Sequence, residues 1–390
     1  MPRALRGRTP RHPAARTRHR GQHRRRLAWA AHHPFREPWC RIDLRGGGQL
    51  TTQISADQRS ADQRAALAQA ADRAARTAAA LERFGVFIPF VIVAVLGIIL
   101  APNFLSAANI GNVLVNAAIL AIVAYGMTLV IALRGLDLSV GSIQALSAVV
   151  CATAVNQMGI LPGIVVGLIV GALVGLVNGV LIAYLKVPAF VATLGTMGIA
   201  RGAALVFTDG GSVLVENKDF GLFASGKLLG IPYPFLLAIA ILAVMYIVLE
   251  RTPFGRHVCA VGGRPDAASE SGINVSRVTV VSFVIVGVCA GLAGLLLTSQ
   301  LGFVDGTLGT GLELQIIAIA VLGGTSMLGG SGNMPGSLVA AVLLAMIASS
   351  LNLLNIPSFY QYLAVGVLLL FALSLDTLRR RIQRNRLMGA

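Results

Sequence analysis

The sequence predicts an all-α, polytopic membrane protein with about ten transmembrane helices. Three observations carry this. Only 12% of the 390 residues are charged, against about 25% in soluble domains. Hydrophobic residues make up 55% of the chain and the mean hydropathy is +0.76. Finally, apolar runs approaching the roughly 20 residues needed to cross hydrocarbon recur along the chain, which also holds 44 glycines. A water-soluble core would not require so many runs of that length.

Residues 1–53 open with "MPRALRGRTPRHPAARTRHRGQHRRR" and are rich in Arg, His, Pro and Gly. Such a composition buries too little apolar area to fold, so a disordered basic leader is expected. No apolar stretch follows the early arginines as a secretory signal requires. The leader also reads as translated upstream DNA, with a start near Leu50 behind Gly46-Gly47-Gly48. Residues 54–84 are Ala-rich with mixed charge, which predicts a cytoplasmic or interfacial helix. Residues 1–84 carry 18 Lys/Arg and 6 Asp/Glu, hence +12 of the +16 net charge. The excess sits in the leader and at helix ends, so it speaks for orientation in a membrane rather than for nucleic-acid binding. Cys40, Cys151, Cys259 and Cys289 lack metal-ligand spacing, so neither a metal site nor a disulfide framework is expected.

The membrane region is expected over 85–378, followed by a basic tail, 379–390. Spans are expected near 85–101, 112–133, 140–157, 160–183, 189–207, 232–250, 280–300, 313–328, 336–354 and 360–376. An even number puts both termini on one side. With the N-terminus inside, 29 Lys/Arg fall inside and only Lys218 and Lys227 outside, with Arg201 within a span. The positive-inside rule therefore places both termini in the cytoplasm.

Between the second and third spans runs "IALRGLDLSVGSIQAL". One reading is a capped hairpin: Arg134 complements the end of one helix, Asp137 or Ser139 caps the next, and Gly135 and Gly141 allow the turn. The other is a broken segment lining a pathway. In the fourth span Gly163, Gly167, Gly171, Gly175 and Gly179 recur every fourth residue, and Gly287, Gly291 and Gly294 recur in the seventh. Such rows let helices approach closely. Few ionisable groups lie within spans, which argues against an ion-coupled carrier. A neutral polar solute would instead pass Gln144, Asn178, Thr193 and Thr196, with Asp137, Ser139 and Arg201 nearby.

No P-loop, HExxH or GxSxG occurs, so no catalytic site is expected and uphill transport needs a separate energy source. The longest inner loop, "RTPFGRHVCAVGGRPDAASESGINVSRVT", spans 251–279. Pro265 suits a first helical position and Gly272 a C′ position, which predicts a short surface helix over 265–271. Ala267 and Ala268 would give it a small-residue face for a partner's groove.

From about Asn109 to Asp376 the chain resembles the permease subunits of bacterial ABC importers of the ribose/xylose/arabinose/galactose class. The stretches are "GMTLVIALRGLDLSVGSIQALSAV", "VNGVLIAYLKVPAFVATLGTMGIARGAALVFTDG", "RTPFGRHVCAVGGRPDAASESGIN", "GLELQIIAIAVLGGTSMLGGSGNMPGSLVAA" and "LNLLNI". The resemblance implies a fold like that of the vitamin B12 importer's membrane subunit, in a bacterial inner membrane. It implies a permease homodimer or paralogue heterodimer, an ABC ATPase subunit that binds the ATP, and a periplasmic sugar-binding protein. The permease itself would hold no cofactor. It assigns the ATPase-coupling loop to Arg256, Gly262, Gly263, Pro265, Ala267, Ala268 and Gly272. Three positions depart from the family pattern: Arg264 replaces the usual Asn before the loop proline, Gln315 a usual Asp, and Pro335 interrupts "GNMPGS". A permease for branched-chain amino acids or nucleosides is the alternative within the superfamily. A self-sufficient secondary transporter or channel is the alternative outside it.

Overall fold

The structure is a computed structural model that describes residues 86–357, 359–370 and 374. The leader 1–53, the expected helix over 54–84 and the tail 379–390 lie outside the described residues. Everything below belongs to the unit Ala68–Ala390.

The helices in chain order are α1 (Phe87–Leu100), α2 (Ala107–Ala132), α3 (Val140–Met158), α4 (Ile160–Ala183), α5 (Ala189–Phe207) and the single turn α6 (Leu222–Ser225). They continue with α7 (Tyr233–Arg251), α8 (Pro253–Gly263), α9 (Pro265–Glu270), α10 (Val275–Leu301), α11 (Leu312–Leu322) and α12 (Met334–Leu353). The last is α13 (Phe359–Leu370). Among the described residues seven helices, α2, α3, α4, α5, α7, α10 and α12, are long and apolar enough to cross a membrane. The shorter apolar helices α1, α11 and α13 fall on the first, eighth and tenth expected spans.

Three boundaries differ from expectation, and polar caps or glycines explain each. α2 begins at Ala107, not 112, because the Ser106 hydroxyl accepts from Asn109 N–H at 3.3 Å. α10 begins at Val275, not 280, because Asn274 Oδ1 accepts from Arg277 N–H at 2.9 Å. α11 stops at Leu322, not 328, where Gly324, Gly329 and Gly330 take φ of 101°, 76° and 84°. Pro335 fits without disturbance in the first turn of α12, where a missing N–H costs no helical bond, and Asn333 Oδ1 caps that turn through Gly336 N–H.

Burial sorts the helices. In α2, 83% of the apolar window is buried, against 22% in α4 and in α7. α2 is therefore the central helix. Leu161, Ile169 and Leu173 of α4, and Val244 and Ile247 of α7, present apolar side chains outward, as hydrocarbon favours.

α4 and α10 meet along glycine. A Cβ at Gly171 would sit 2.5 Å from Gly287 O, and one at Gly175 would strike Phe283 O. A Cβ at Gly179 would lie 2.7 Å from Val280 Cα. Farther along the same face of α10, Gly294 packs against the backbone of Gln144, and Gly291 lies against Ser147 Oγ of α3. Backbone thus touches backbone, and dispersion along the seam replaces the hydrophobic drive that lipid does not supply. At the far ends of α5 and α10, β1 (Ser212–Leu214) pairs antiparallel with β4 (Phe303–Asp305), Val213 opposite Val304.

Candidate functional site

The surface segment after α7 is two helices. Thr252 caps α8 through Gly255 N–H at 3.3 Å. Pro265 opens α9, and Gly272, at φ 83°, closes it. Gly272 N–H donates to Ser269 O at 3.0 Å, and Ile273 N–H to Ala268 O at 3.1 Å, the bond pair of a Schellman end. Arg264 occupies the N-cap position and makes no side-chain capping bond.

The two alanines of α9 do not share a face. Ala267 is exposed, whereas Ala268 is 5% exposed and belongs to the main core. Consecutive helical residues are about 100° apart, so a six-residue helix lying on a bundle buries one and presents the other. The surface offered outward is Asp266, Ala267 and Glu270, with Arg256 exposed on α8.

The hairpin expected at 131–146 is built differently. The left-handed turn falls on Arg134 itself, at φ 65°, and not on a glycine. Arg134 does more than face a helix end. Its Nη2 donates to Gly263 O at 2.9 Å and its Nε to Leu328 O at 2.5 Å. Gly262 packs against Ala132 O so closely that a Cβ there would overlap it, and Gly330 N–H donates to Ala132 O at 2.8 Å. The end of α2, the end of α8 and the α11–α12 loop are thus tied together one residue before α9 begins.

Nor does Ser139 cap α3 with its side chain. Its N–H and Oγ donate to Asp137 Oδ1 at 2.8 and 2.5 Å. Asn178 Nδ2 donates to Ser139 Oγ at 2.8 Å, and Thr196 Oγ1 to Asn178 Oδ1 at 2.6 Å. Thr193 Oγ1 donates to Ala189 O at 2.8 Å and lies 3.2 Å from Leu136 O. Asp137, Ser139, Asn178, Thr193 and Thr196 therefore form one buried network across α3, α4 and α5. Its hydroxyls and the Asn178 amide are largely spent on one another, while Asp137 Oδ2 has no partner.

Arg201 stands apart from that network. Its Nη1 donates to Leu308 O at 2.6 Å and to Gly306 O at 2.8 Å. Those carbonyls belong to the non-helical stretch leading into α11. Gly309 of that stretch takes φ 69° and lies against Gly141 of α3. α11 itself spans about 16 Å, roughly half a hydrocarbon layer. Irregular backbone therefore occurs at two places: 306–311, held by Arg201 with Gly306 buried and Thr307 and Thr310 exposed, and the Arg134–Ser139 turn, where Asp137 and Ser139 are buried.

Gln144 lies outside the network of Asp137, Ser139, Asn178, Thr193 and Thr196. It is fully buried, and neither Oε1 nor Nε2 has a hydrogen-bond partner. It lines a cavity of about 260 Å³ among α2, α3, α10, α11, α12 and α13. Asn116, Gln315, Asn352 and Gln361 also line it. The sequence reading missed Asn116, Asn352 and Gln361, and noted Gln315 only as a departure. The available signal was a single amide in an otherwise largely apolar helix at Gln315, Asn352 and Gln361.

A family model described as "Branched-chain amino acid transport system / permease component" matches residues 109–373. The chain belongs to this permease family. The permease is 43% identical over 299 residues to the ribose import permease protein RbsC of Bacillus subtilis, covering 76% of this chain and 93% of that relative. It is 40% identical over 295 residues to RbsC of Haemophilus influenzae, covering 74% and 91%. It is 35% identical over 305 residues to the L-arabinose ABC transporter permease protein AraH of Azospirillum brasilense, covering 78% and 90%. No solved structure matches the permease.

Proposed function

We propose that this permease is the membrane subunit of an ABC importer for a monosaccharide. The observation that carries this is the agreement of relatives matched over about nine-tenths of their own length: those at 43%, 40% and 35% identity are named for ribose or L-arabinose import. The family model's description names branched-chain amino acids, which makes an amino-acid permease the competing reading.

On this reading α1, α11 and α13 join the seven long helices as ten spans, in a fold of the vitamin B12 importer type within a bacterial inner membrane. Both termini lie in the cytoplasm. The permease acts as a homodimer or paralogue heterodimer, is fed by a periplasmic sugar-binding protein and performs no covalent chemistry. A partner ATPase binds ATP and grips α8 and α9. Asp266, Ala267 and Glu270 form the gripped face of α9, with Arg256 and Arg264 beside it, while Pro265 and Gly272 set its two ends and Gly262, Gly263 and Ala268 seat it on the bundle. The Arg134 bonds to Gly263 O and Leu328 O carry movement of α9 into α2 and the α11–α12 loop. ATP can shift the gate only by binding its two states unequally.

The test is uptake of D-ribose, L-arabinose and L-leucine into proteoliposomes holding the permease, its ATPase and its binding protein. Import of a sugar that needs all three components and ATP is expected. Flux through the permease alone, or import of leucine instead, would overturn the reading. In the same assay Ala267→Glu is expected to cut sugar uptake roughly tenfold, the effect of weakening a contact by about 1.4 kcal/mol.

A further inference from the structure

We infer that the cavity among α2, α3 and α10–α13 is a sugar-binding station inside the single subunit, recognising a neutral polyhydroxyl solute through side-chain amides. It rests on the sugar-import reading and assigns that reading a place and a set of groups.

The polar chemistry of the wall comes from Asn116, Gln144, Gln315, Asn352 and Gln361, and no lining residue carries a charge. Each primary amide offers two donors and one acceptor oxygen, the complement of a hydroxyl that both donates and accepts. An amino acid's carboxylate and ammonium would find no counter-charge there and would be costly to desolvate. The cavity's roughly 260 Å³ suits a solute of about ten non-hydrogen atoms and falls below the range of drug-sized pockets.

Gln144 is the observation that points to a ligand. A buried amide left without partners costs free energy; Asp137 Oδ2 and Ser147 Oγ each lack a partner too, but Ser139, Asn178 and Thr196 avoid that cost by bonding one another. Gln144 does not, and both its amide atoms are unpaired. Glycine shapes the place: a Cβ at Gly309 would sit 2.7 Å from Gln144 Oε1, and one at Gly294 would lie 3.1 Å from Gln144 Cγ. Only Gln361 Nε2, donating to Asn352 Oδ1 at 3.1 Å, joins two amides of the wall.

The cavity's position suits its supply. Asn352 ends α12 and Gln361 begins α13, at the end of the bundle opposite α9. With α9 cytoplasmic, that is the side on which a periplasmic binding protein delivers. Asn116 lies on α2, the helix fastened to α8 through Arg134, so movement of α9 changes the wall.

The experiment is saturation-transfer difference NMR on the full chain in lipid nanodiscs, with D-ribose, L-arabinose, D-allose and L-leucine as probes. Transfer to at least one sugar and none to leucine is expected. It should be lost in Gln144→Leu/Gln315→Leu, which removes two amides, and in Ala348→Phe, which fills the space. Both variants are checked first by elution and Tm, and either suffices if the other fails to fold. Absence of transfer to every sugar, equal transfer to leucine, or transfer surviving in the folded variants would each overturn the inference. ATP-driven uptake separates the two claims. Wild-type-like import by the folded variants sinks the station but leaves sugar import standing; no sugar import by the wild type sinks the import reading itself.

Discussion

The α4–α10 seam and the cavity among α2, α3 and α10–α13 are both made of apolar helices and solve opposite problems. Along the seam glycines bring backbone to backbone at Gly171, Gly175 and Gly287, and the Asn178 amide of α4 is satisfied by Ser139 and Thr196. Around the cavity the helices stand apart, and Gln144 keeps both amide atoms unpaired. The first region is built to move as one piece. The second has room for something else. α2 borders the cavity and carries the Arg134 junction, so it is the element through which surface motion reaches that space.

The sharpest way to break this contrast is to add bulk to each side. Gly175→Leu forces a side chain into Phe283 O and cannot be relieved by a rotamer, because the obstacle is backbone. A loss of about 3 kcal/mol or more is expected, seen as aggregation on size exclusion or a collapsed Tm. Asn178→Ala strips the central member of the α3–α4–α5 network and should cost about 1 kcal/mol, read as a modest fall in Tm. Ala348→Val, on the cavity wall, should change stability by less than about 0.5 kcal/mol, because its added methyls enter open space. If Gly175→Leu and Ala348→Val gave the same Tm, the distinction between a closed seam and an open cavity would fail.

The resemblance to sugar-importer permeases, carried by "LRGLDLSVGS" and the 251–279 loop, agrees with the family match and with the sugar-import names of the relatives. The short helix expected at 265–271 is present as Pro265–Glu270, since a proline start and a glycine end are local signals. Which alanine faces a partner was not legible, because a six-residue helix has no period long enough to fix its buried face.

What the sequence determined by itself was the all-helical, multi-span class, the glycine rows and the capped surface helix. All of these depend on residues near one another in the chain. What only the tertiary structure decided was partnership. Arg134 reaches Gly263 and Leu328, more than a hundred residues away, and Arg201 anchors Gly306 and Leu308. Among the polar candidates, Asn178 is spent on its neighbours while Gln144 is left without a partner. An amide's identity is written in the chain, but whether it is satisfied depends on what other helices bring beside it.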